Sequence, residues 1–537
     1  MKYHCKRYQV VDEFIDGRWQ KVFKNRPRNV QEILDKTIHK LPQKEGFISG
    51  DTRLTFSEFG EQVDNVAISL QRDFQVKKGD RVALLLEAGL EFPICFFGTT
   101  KVGGIVVPLN TRLREEELTY EINDSESTIL IMDQEFSKVI EPCRKQLTTL
   151  KHIFVNGNNT PQRTIPYSVL VEKKGKKPEK VETKEDETVM IMYTSGTTGK
   201  PKGAMQFHRG IIEVCMLIDD AMQSQSDRDR MLCVLPLFHS AGLIMTCLTS
   251  VFAGIPCVYM QKYKTKEVLE IIEKEKISTL LSVPAILWLM MNHPEFRKYD
   301  LSSIRVVSFG GSPKSPDLVK LFREKMPAAQ LWEGYGMTET HGNDCILTDE
   351  EMDQNLHTTG RVVPIDEVKI VDDQGNECPV NVPGEIMFRG SKVISRYWKN
   401  PEETKRLLED GWFHTGDVGK IDENGYMAIL DRIKDMINRG GEKVYSLEIE
   451  NVLYRHSKVM EAAVVGIKDE VFGEEVKACV VLKEGEYATE DEIKEHCAKY
   501  LADYKIPKVV EIFRMPLPHN SLGKIMKRVL KEKVSKV

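Results

Sequence analysis

The sequence predicts an α/β protein. A large N-terminal domain of mostly parallel sheets with helices carries a β-rich subdomain, and a small α+β C-terminal domain follows. Three observations point there. Short apolar runs alternate with longer amphipathic stretches through roughly the first 360 residues. Strand-like runs punctuated by turns then take over to about 430. A helix–strand–strand–helix–strand succession fills the remainder.

In chain order, RVALLLEAG (81–89), STILIMD (127–133) and HIFVNG (152–157) read as buried strands. ELTYEINDS (117–125), EVLEIIEKEK (267–276) and PDLVKLFREKM (316–326) place apolar residues at helical spacing. The Lys/Glu-rich run 172–187 reads as an exposed connection. From about 360 to 430, DEVKIVDDQGNECPVNVPGEIMFRG has the turn chemistry of a compact β region. SLEIENVLYRH (helix), EAAVVGI and KACVVL (strands), EDEIKEHCAKYL (helix) and VVEIF (strand) then form a unit of its own. The expected division is 1–432 and 433–537, with the hinge near 431–435.

Composition narrows the function. The 537 residues exceed a single compact core, and 41% hydrophobic with 29% charged content is ordinary for a soluble globular protein. The 76 basic and 81 acidic residues are interspersed and sum to −5, so no global field favours nucleic acid. The eleven cysteines are odd in number and never form C-x-x-C; they read as buried small hydrophobes in a reducing compartment. MKYHCKRYQVVDEFIDG lacks the apolar core of a secretion signal. The most hydrophobic segment, Leu281 to Met291, is short and broken by Pro284. A cytoplasmic protein without a transmembrane segment is expected. Peripheral membrane contact stays open, as does the oligomeric state, a homodimer included.

The strongest local signal is Thr194-Ser195-Gly196-Thr197-Thr198-Gly199-Lys200-Pro201-Lys202-Gly203, after the apolar strand ETVMIMY. Its hydroxyls, glycines and lysines suit a loop that wraps polyphosphate, since glycine lets amides approach the anion and lysine adds charge. The spacing G-x-x-x-x-G-K-[ST] of a P-loop is absent. Pro201 also disfavours helix at Lys200, where a P-loop runs straight into one.

KVGGIVVPLNTRLREEEL (101–118) lies upstream of that loop. After it come LPLFHSAG (235–242), FGGSP (309–313), EGYGMTET (333–340), GEIMFRG (384–390), DGWFHTGD (410–417), DRIKDMINRGGEKV (431–444) and LPHNSLGKIMKR (517–528). This succession covers nearly the whole chain. It resembles the adenylate-forming superfamily of acyl-CoA synthetases, peptide-synthetase adenylation domains and firefly luciferase, in its acyl-CoA synthetase branch. The resemblance implies an enzyme that joins a carboxylic acid to AMP, with ATP and CoA as co-substrates and Mg²⁺ as cofactor. Both the attacking carboxylate and the α-phosphate are negative, so such a site must supply positive charge and alignment.

By that resemblance, Thr194, Ser195, Gly196, Thr197, Thr198, Gly199 and Lys202 cradle the β- and γ-phosphates. Gly311, Ser312 and Pro313 lie beside adenine. Glu333, Gly334, Tyr335, Gly336 and Met337 line the nucleotide, with Tyr335 stacked on the base. Thr338 contacts the α-phosphate, and Glu339 with Thr194 holds Mg²⁺, a hard ion that prefers oxygen. Asp417 accepts the ribose hydroxyls, Arg432 reaches the ribose, and Lys434 is the hinge residue. Lys524 is the catalytic lysine, a flexible ammonium able to bridge the substrate carboxylate and the α-phosphate. Lys202, Glu339, Asp417 and Lys524 are all present, which favours activity over a regulatory ATP-binding role.

The resemblance also implies that the small domain rotates to present Gly440 and Gly441, whose missing side chains leave room for pantetheine. The sequence continues only briefly past Lys524, so free CoA is the expected acceptor, with a separate carrier protein as the alternative. The acid pocket is expected at His239, Leu243, Gly310, Gly336, Met337, Thr340 and His341, with Ser282–Met290 nearby; a packed core histidine is the other reading of His239. Acetate-specific members carry tryptophan at the position of Gly336, so an open tunnel and a larger acid are expected. Some long-chain members have a gate tryptophan where this chain has Leu243. Medium- to long-chain fatty acids are the first expectation, and aromatic or other modified acids the second.

Overall fold

The structure, a computed structural model, describes residues 1–194, 200–409, 411–519 and 525–534. A seven-stranded sheet orders Lys202–Phe207, Thr188–Thr194, Ile105–Pro108, Arg81–Leu85, Ser127–Asp133, His152–Asn156 and Ile165–Pro166. Its neighbours are parallel except for the hairpin partners Thr188–Thr194 and Lys202–Phe207. A nine-stranded sheet orders Arg361–Val362, Cys345–Leu347, Gln330–Tyr335, Val306–Gly310, Thr279–Ser282, Met231–Cys233, Cys257–Tyr259, Glu45–Ser49 and Thr52–Thr55. Its interior is parallel and both margins are antiparallel. Parallel strands need crossover helices on their faces, which explains the alternation in the sequence.

The main core is formed by apolar side chains of both sheets and the helices between them. Phe47 stacks on Phe59 with ring centroids 3.6 Å apart, and Phe59 meets Phe97 edge-on. The helix His208–Met222 runs through this core with nearly every residue buried, including Arg209, Glu213, Asp219 and Asp220. Those charges are matched: Asp220 accepts from Tyr3 Oη at 2.8 Å and Asp219 pairs with Arg7 at 2.9 Å. Nine of the eleven cysteines are buried and act as hydrophobic fill.

Asp366–Val371, Gly384–Gly390, Leu408–Glu409, Trp412–Ile421 and Met427–Arg432 form an antiparallel sheet around Ile370, Ile386, Phe388, Phe413 and Met427. A short helix, Pro401–Leu407, interrupts this β region; Asn400 caps it by accepting from Glu403 N. The last sheet combines Ile437–Arg439, Glu442–Val444, Val459–Asp469, Gly473–Leu482 and Val509–Phe513. With the helices Ser446–Tyr454 and Glu490–Ala498 it encloses its own core of Val452, Leu453, Val464, Val480 and Ile493. A large N-terminal parallel-sheet domain and a small C-terminal α+β domain are thus present.

The run 172–187 has no regular structure and is largely exposed, yet it is tied down by ion pairs: Lys177 to Asp64 at 2.7 Å, Lys174 to Asp73 and Glu185 to Arg26, each at 2.9 Å. Among the described residues, no helix is long and apolar enough to cross a membrane.

Candidate active site

Parallel α/β sheets bind ligands where strand carboxyl ends converge, and several of the predicted residues lie at such ends. Strand Val306–Gly310 ends beside Gln330–Tyr335, with Gly310 opposite Gly334. Thr188–Thr194 ends at the expected phosphate loop, and Lys202 pairs in register with Thr194. The chain continues from Lys202 as a strand, whereas a P-loop would enter a helix. Ser195, Gly196, Thr197, Thr198 and Gly199 lie outside the described residues.

Thr194 and Glu339 meet across the two sheets. Thr194 Oγ1 donates to Glu339 Oε1 at 3.2 Å, and Tyr397 Oη donates to the same oxygen at 2.9 Å. Glu339 sits on the turn Thr338–Thr340 and is partly exposed. One carboxylate among hydroxyls is a hard, all-oxygen donor set. That suits Mg²⁺, which is commonly held by one or two carboxylates and substrate phosphates. Among the described residues, no cluster of three or more His, Cys, Asp or Glu offers a separate metal cage. Lys202 is 7% exposed and its ammonium pairs with Glu403, which also takes two hydrogen bonds from Arg406, at 2.6 and 2.8 Å.

The expected nucleoside residues also converge. Tyr335 Oη donates to Asp417 Oδ2 at 2.7 Å and Arg432 Nε donates to Oδ1 at 3.0 Å. Asp417 and Arg432 face each other on neighbouring strands, and the register shifts just beyond, between Val418 and Gly419. A bulge at that place re-aims side chains near a site. Burial and the Asp417 carboxylate raise the Tyr335 phenol well above its ordinary range, so it stays a donor. Gly311, Ser312 and Pro313 are exposed at the end of their strand, with Gly311 at φ +77°.

Several expected residues serve other purposes. Glu333 is buried and paired with the Lys314 ammonium, which also donates to Thr358 O at 2.6 Å; its carboxylate is a structural anchor for the 310–314 loop. Gly336 was expected to hold a tunnel open. Instead a Cβ there would lie 2.2 Å from Asn343 N, so the glycine is required by a close backbone approach. Gly310 is similar, with a Cβ meeting Gly334 O at 2.3 Å. Leu243 is wholly buried within the main core.

His341 is also wholly buried, and both ring nitrogens are used: Nδ1 bonds Lys392 O at 2.6 Å and Nε2 accepts from Phe207 N at 3.1 Å. Burial pushes its pKa down to about 3. It is a neutral structural histidine and not a pocket wall. Thr340 is equally buried, donating to Asp344 Oδ2 at 2.6 Å. His239 differs. Its Nε2 is buried without a hydrogen-bond partner, and burial followed by Arg112 lowers its pKa to about 3. A neutral imidazole nitrogen left unpaired is costly in a core and is free to meet a polar ligand atom. Met337 packs with Tyr335 against the antiparallel-sheet core.

In the small domain, Gly440 and Gly441 form the exposed turn between Ile437–Arg439 and Glu442–Val444, at φ +61° and +95°. Phe472 lies beside Gly440, under the Arg439 guanidinium at 4.2 Å. The segment around Lys434 is turned, with Asp435 N and Met436 N both bonding Arg432 O at 2.9 Å. Asp431 crosses to the small domain, accepting from Ser446 Oγ at 2.9 Å and from its backbone N–H. Lys524 lies outside the described residues.

Tyr397, Glu403, Lys392 and Gln206, whose Nε2 donates to Thr338 O at 2.9 Å, join this site without any motif having marked them. Gln206 and Lys392 lie just past two of the motifs, but single polar residues in apolar or mixed runs carry no spacing signal.

Known proteins resemble this chain over nearly its whole length. A family model described as AMP-binding enzyme matches residues 34–398, and one described as AMP-binding enzyme C-terminal domain matches residues 448–524. The chain is 34% identical over 512 residues to a long-chain-fatty-acid–CoA ligase, FadD13, of Mycobacterium tuberculosis, covering 95% of this chain and 99% of that one. It is 33% identical over 479 residues to a feruloyl-CoA synthase of an Amycolatopsis species, covering 89% and 93%. The crystal structure of the anthranilate CoA ligase AuaEII in complex with anthranoyl-AMP is similar with a TM-score of 0.87 at 26% identity, over 94% of this chain and 97% of that one.

Proposed function

The chain belongs to the AMP-binding enzyme family as an adenylate-forming acid–CoA ligase, and from that membership we propose that its acid is a medium- to long-chain fatty acid. An oxygen of the acid attacks the α-phosphorus of ATP and pyrophosphate leaves. The CoA thiol then attacks the acyl carbon, and AMP leaves with the bonding pair. The observation that carries the choice of acid is the end-to-end similarity to a long-chain-fatty-acid–CoA ligase.

The residues divide the work. Thr194 and Lys202, with residues 195–199, hold the β- and γ-phosphates, and Thr338 meets the α-phosphate. Glu339 and Thr194 hold Mg²⁺, which when bound offsets the polyphosphate charge. Tyr335 takes the adenine face, and Gly311, Ser312 and Pro313 flank it. Asp417 keeps lone pairs for the ribose hydroxyls while Tyr335 and Arg432 orient it. Lys524 bridges the acid and the α-phosphate. The unit from 433 to 537 pivots at Lys434 and presents Gly440 and Gly441 to CoA. His239, with its unpaired nitrogen, faces the acid.

A second reading, an aromatic acid, is favoured by the similarity to a feruloyl-CoA synthase and to an anthranilate CoA ligase. The test is a panel of fatty, hydroxycinnamic and benzoic acids with ATP, Mg²⁺ and CoA, scored for AMP and pyrophosphate. Fastest turnover with medium- or long-chain fatty acids is expected. Fastest turnover with feruloyl- or anthranoyl-type acids would install the second reading, and thioester formation only on an added carrier protein would displace CoA as acceptor.

A further inference from the structure

The turn that carries Thr338 and Glu339 has almost no regular structure of its own, yet its carbonyls are individually pinned. Thr338 O accepts from Gln206 Nε2 at 2.9 Å and Glu339 O from Ile394 N at 2.8 Å. Thr340 O and Gly342 O accept from one ammonium, that of Lys392, at 3.2 and 3.1 Å. Lys392 is wholly buried, and its charge is met by two carboxylates that are also wholly buried. Asp344 lies at the far end of the same turn and contacts the ammonium directly; Asp366, opening the strand Asp366–Val371, lies 2.8 Å away. Burial raises the Asp366 carboxyl well above its usual range, against the pull of the Lys392 ammonium and with the Asp344 carboxylate adding to the rise.

Placing an ammonium and two carboxyls in a core is expensive, and a hydrophobic filler would stabilise the fold as well. What a filler cannot supply is donors for two carbonyls on the turn that aims Glu339. We propose that Lys392 is a positioning residue of the adenylating centre: it fixes the backbone from Thr338 to Asp344 and thereby the aim of the Glu339 carboxylate at nucleotide-borne Mg²⁺. This rests on the proposed role of Glu339 in metal binding.

The test compares Lys392→Met/Asp344→Asn with Lys392→Gln/Asp344→Asn in the full chain. Both remove the Lys392–Asp344 ion pair, loss of the ammonium lets burial raise the remaining Asp366 carboxyl further, and the asparagine amide oxygen can still accept from Thr340. Methionine fills the space with no donor, whereas glutamine keeps one. ATP binding is titrated by calorimetry at a series of Mg²⁺ concentrations, alongside thermal melts. Groups that orient a metal ligand are worth roughly ten- to a hundredfold in metal affinity, so the methionine variant is expected to need about tenfold more Mg²⁺ for half-maximal ATP binding, with glutamine restoring much of it. Equal Mg²⁺ requirements in the wild type and the folded methionine variant would overturn the inference, as would equal behaviour of the methionine and glutamine variants. Should the methionine variant not fold, Lys392→Leu/Asp344→Asn replaces it as the donor-free variant: a melting temperature lowered with an unchanged Mg²⁺ requirement means packing alone and overturns the inference. Because the readout is nucleotide binding, it stands apart from the acid panel. A wild type that binds ATP with Mg²⁺ yet activates no acid counts against the ligase chemistry, not against Lys392.

Discussion

The Tyr335 hydroxyl and the Asp417 carboxylate meet at 2.7 Å, across 82 residues of sequence and between two different sheets. Arg432 takes the other carboxylate oxygen at 3.0 Å. An ionised carboxylate offers about four acceptor positions, so two donors hold it in place and leave capacity for a diol. The aromatic ring expected to carry the base and the carboxylate expected to carry the sugar are therefore oriented by one another.

Tyr335→Phe keeps the ring and removes that donor. A lost hydrogen bond to a charged group is worth about 1.5–3 kcal/mol, so KM for ATP should rise roughly tenfold or more with KM for the acid unchanged. Asp417→Asn also leaves Arg432 without its partner and should cost more. Steady-state kinetics with each substrate varied in turn checks both.

Lys524→Ala should abolish pyrophosphate release yet leave thioester formation from supplied acyl-adenylate. Lys434→Pro should do the reverse, because fixing φ at the turned 432–436 segment hinders a pivot without touching the phosphates. Separate assays of the two half-reactions decide, and equal loss of both by Lys524→Ala would remove it from its assigned role.

Gly336→Ala tests the close backbone approach. A methyl 2.2 Å from Asn343 N forces the two segments apart. Overpacking of this kind typically costs about 1–3 kcal/mol, and the lower melting temperature should come with weaker ATP binding because the displaced segment includes Tyr335. A variant with unchanged melting and a changed acid preference would instead restore the open-tunnel reading.

Acid should destabilise the protein through His341. Its pKa falls from the ordinary 6.5 to about 3 on folding, so the unfolded chain binds the proton first as pH drops. The stabilisation is complete above pH 6.5 and is lost progressively as pH falls toward 3; one such group accounts for about 2 kcal/mol by pH 5. Urea midpoints measured from pH 7 to pH 5 should fall less steeply in a His341→Gln variant that folds.

Much of the architecture was legible because it lies in local pattern. The glycines, hydroxyls and lysines of 194–203 stand together, and strands such as Ser127–Asp133 declare themselves as apolar runs. The helix Glu91–Lys101 did not, because burial all round erases amphipathic periodicity. Pairings such as Lys314 with Glu333 and Lys392 with Asp344 and Asp366 were invisible for another reason. Each residue is an ordinary surface charge until the fold removes water from around it. The same holds for Leu243 and His341, whose motif neighbours suggested a pocket while their burial makes them part of the packing.

The segment that brings Tyr397 to Glu339 has a second consequence. Strand Lys202–Phe207 is the margin of the seven-stranded sheet, and a bare margin is a template for other chains. Here Trp398 N bonds Gly203 O at 2.8 Å, Met205 N bonds Arg396 O at 3.4 Å, and Ala204 bridges to Tyr397. The stretch from 396 to 398 thus covers the open margin while Tyr397 reaches the Glu339 carboxylate. Damage to this stretch would show first as self-association, with insoluble protein appearing before any slow enzyme could be measured.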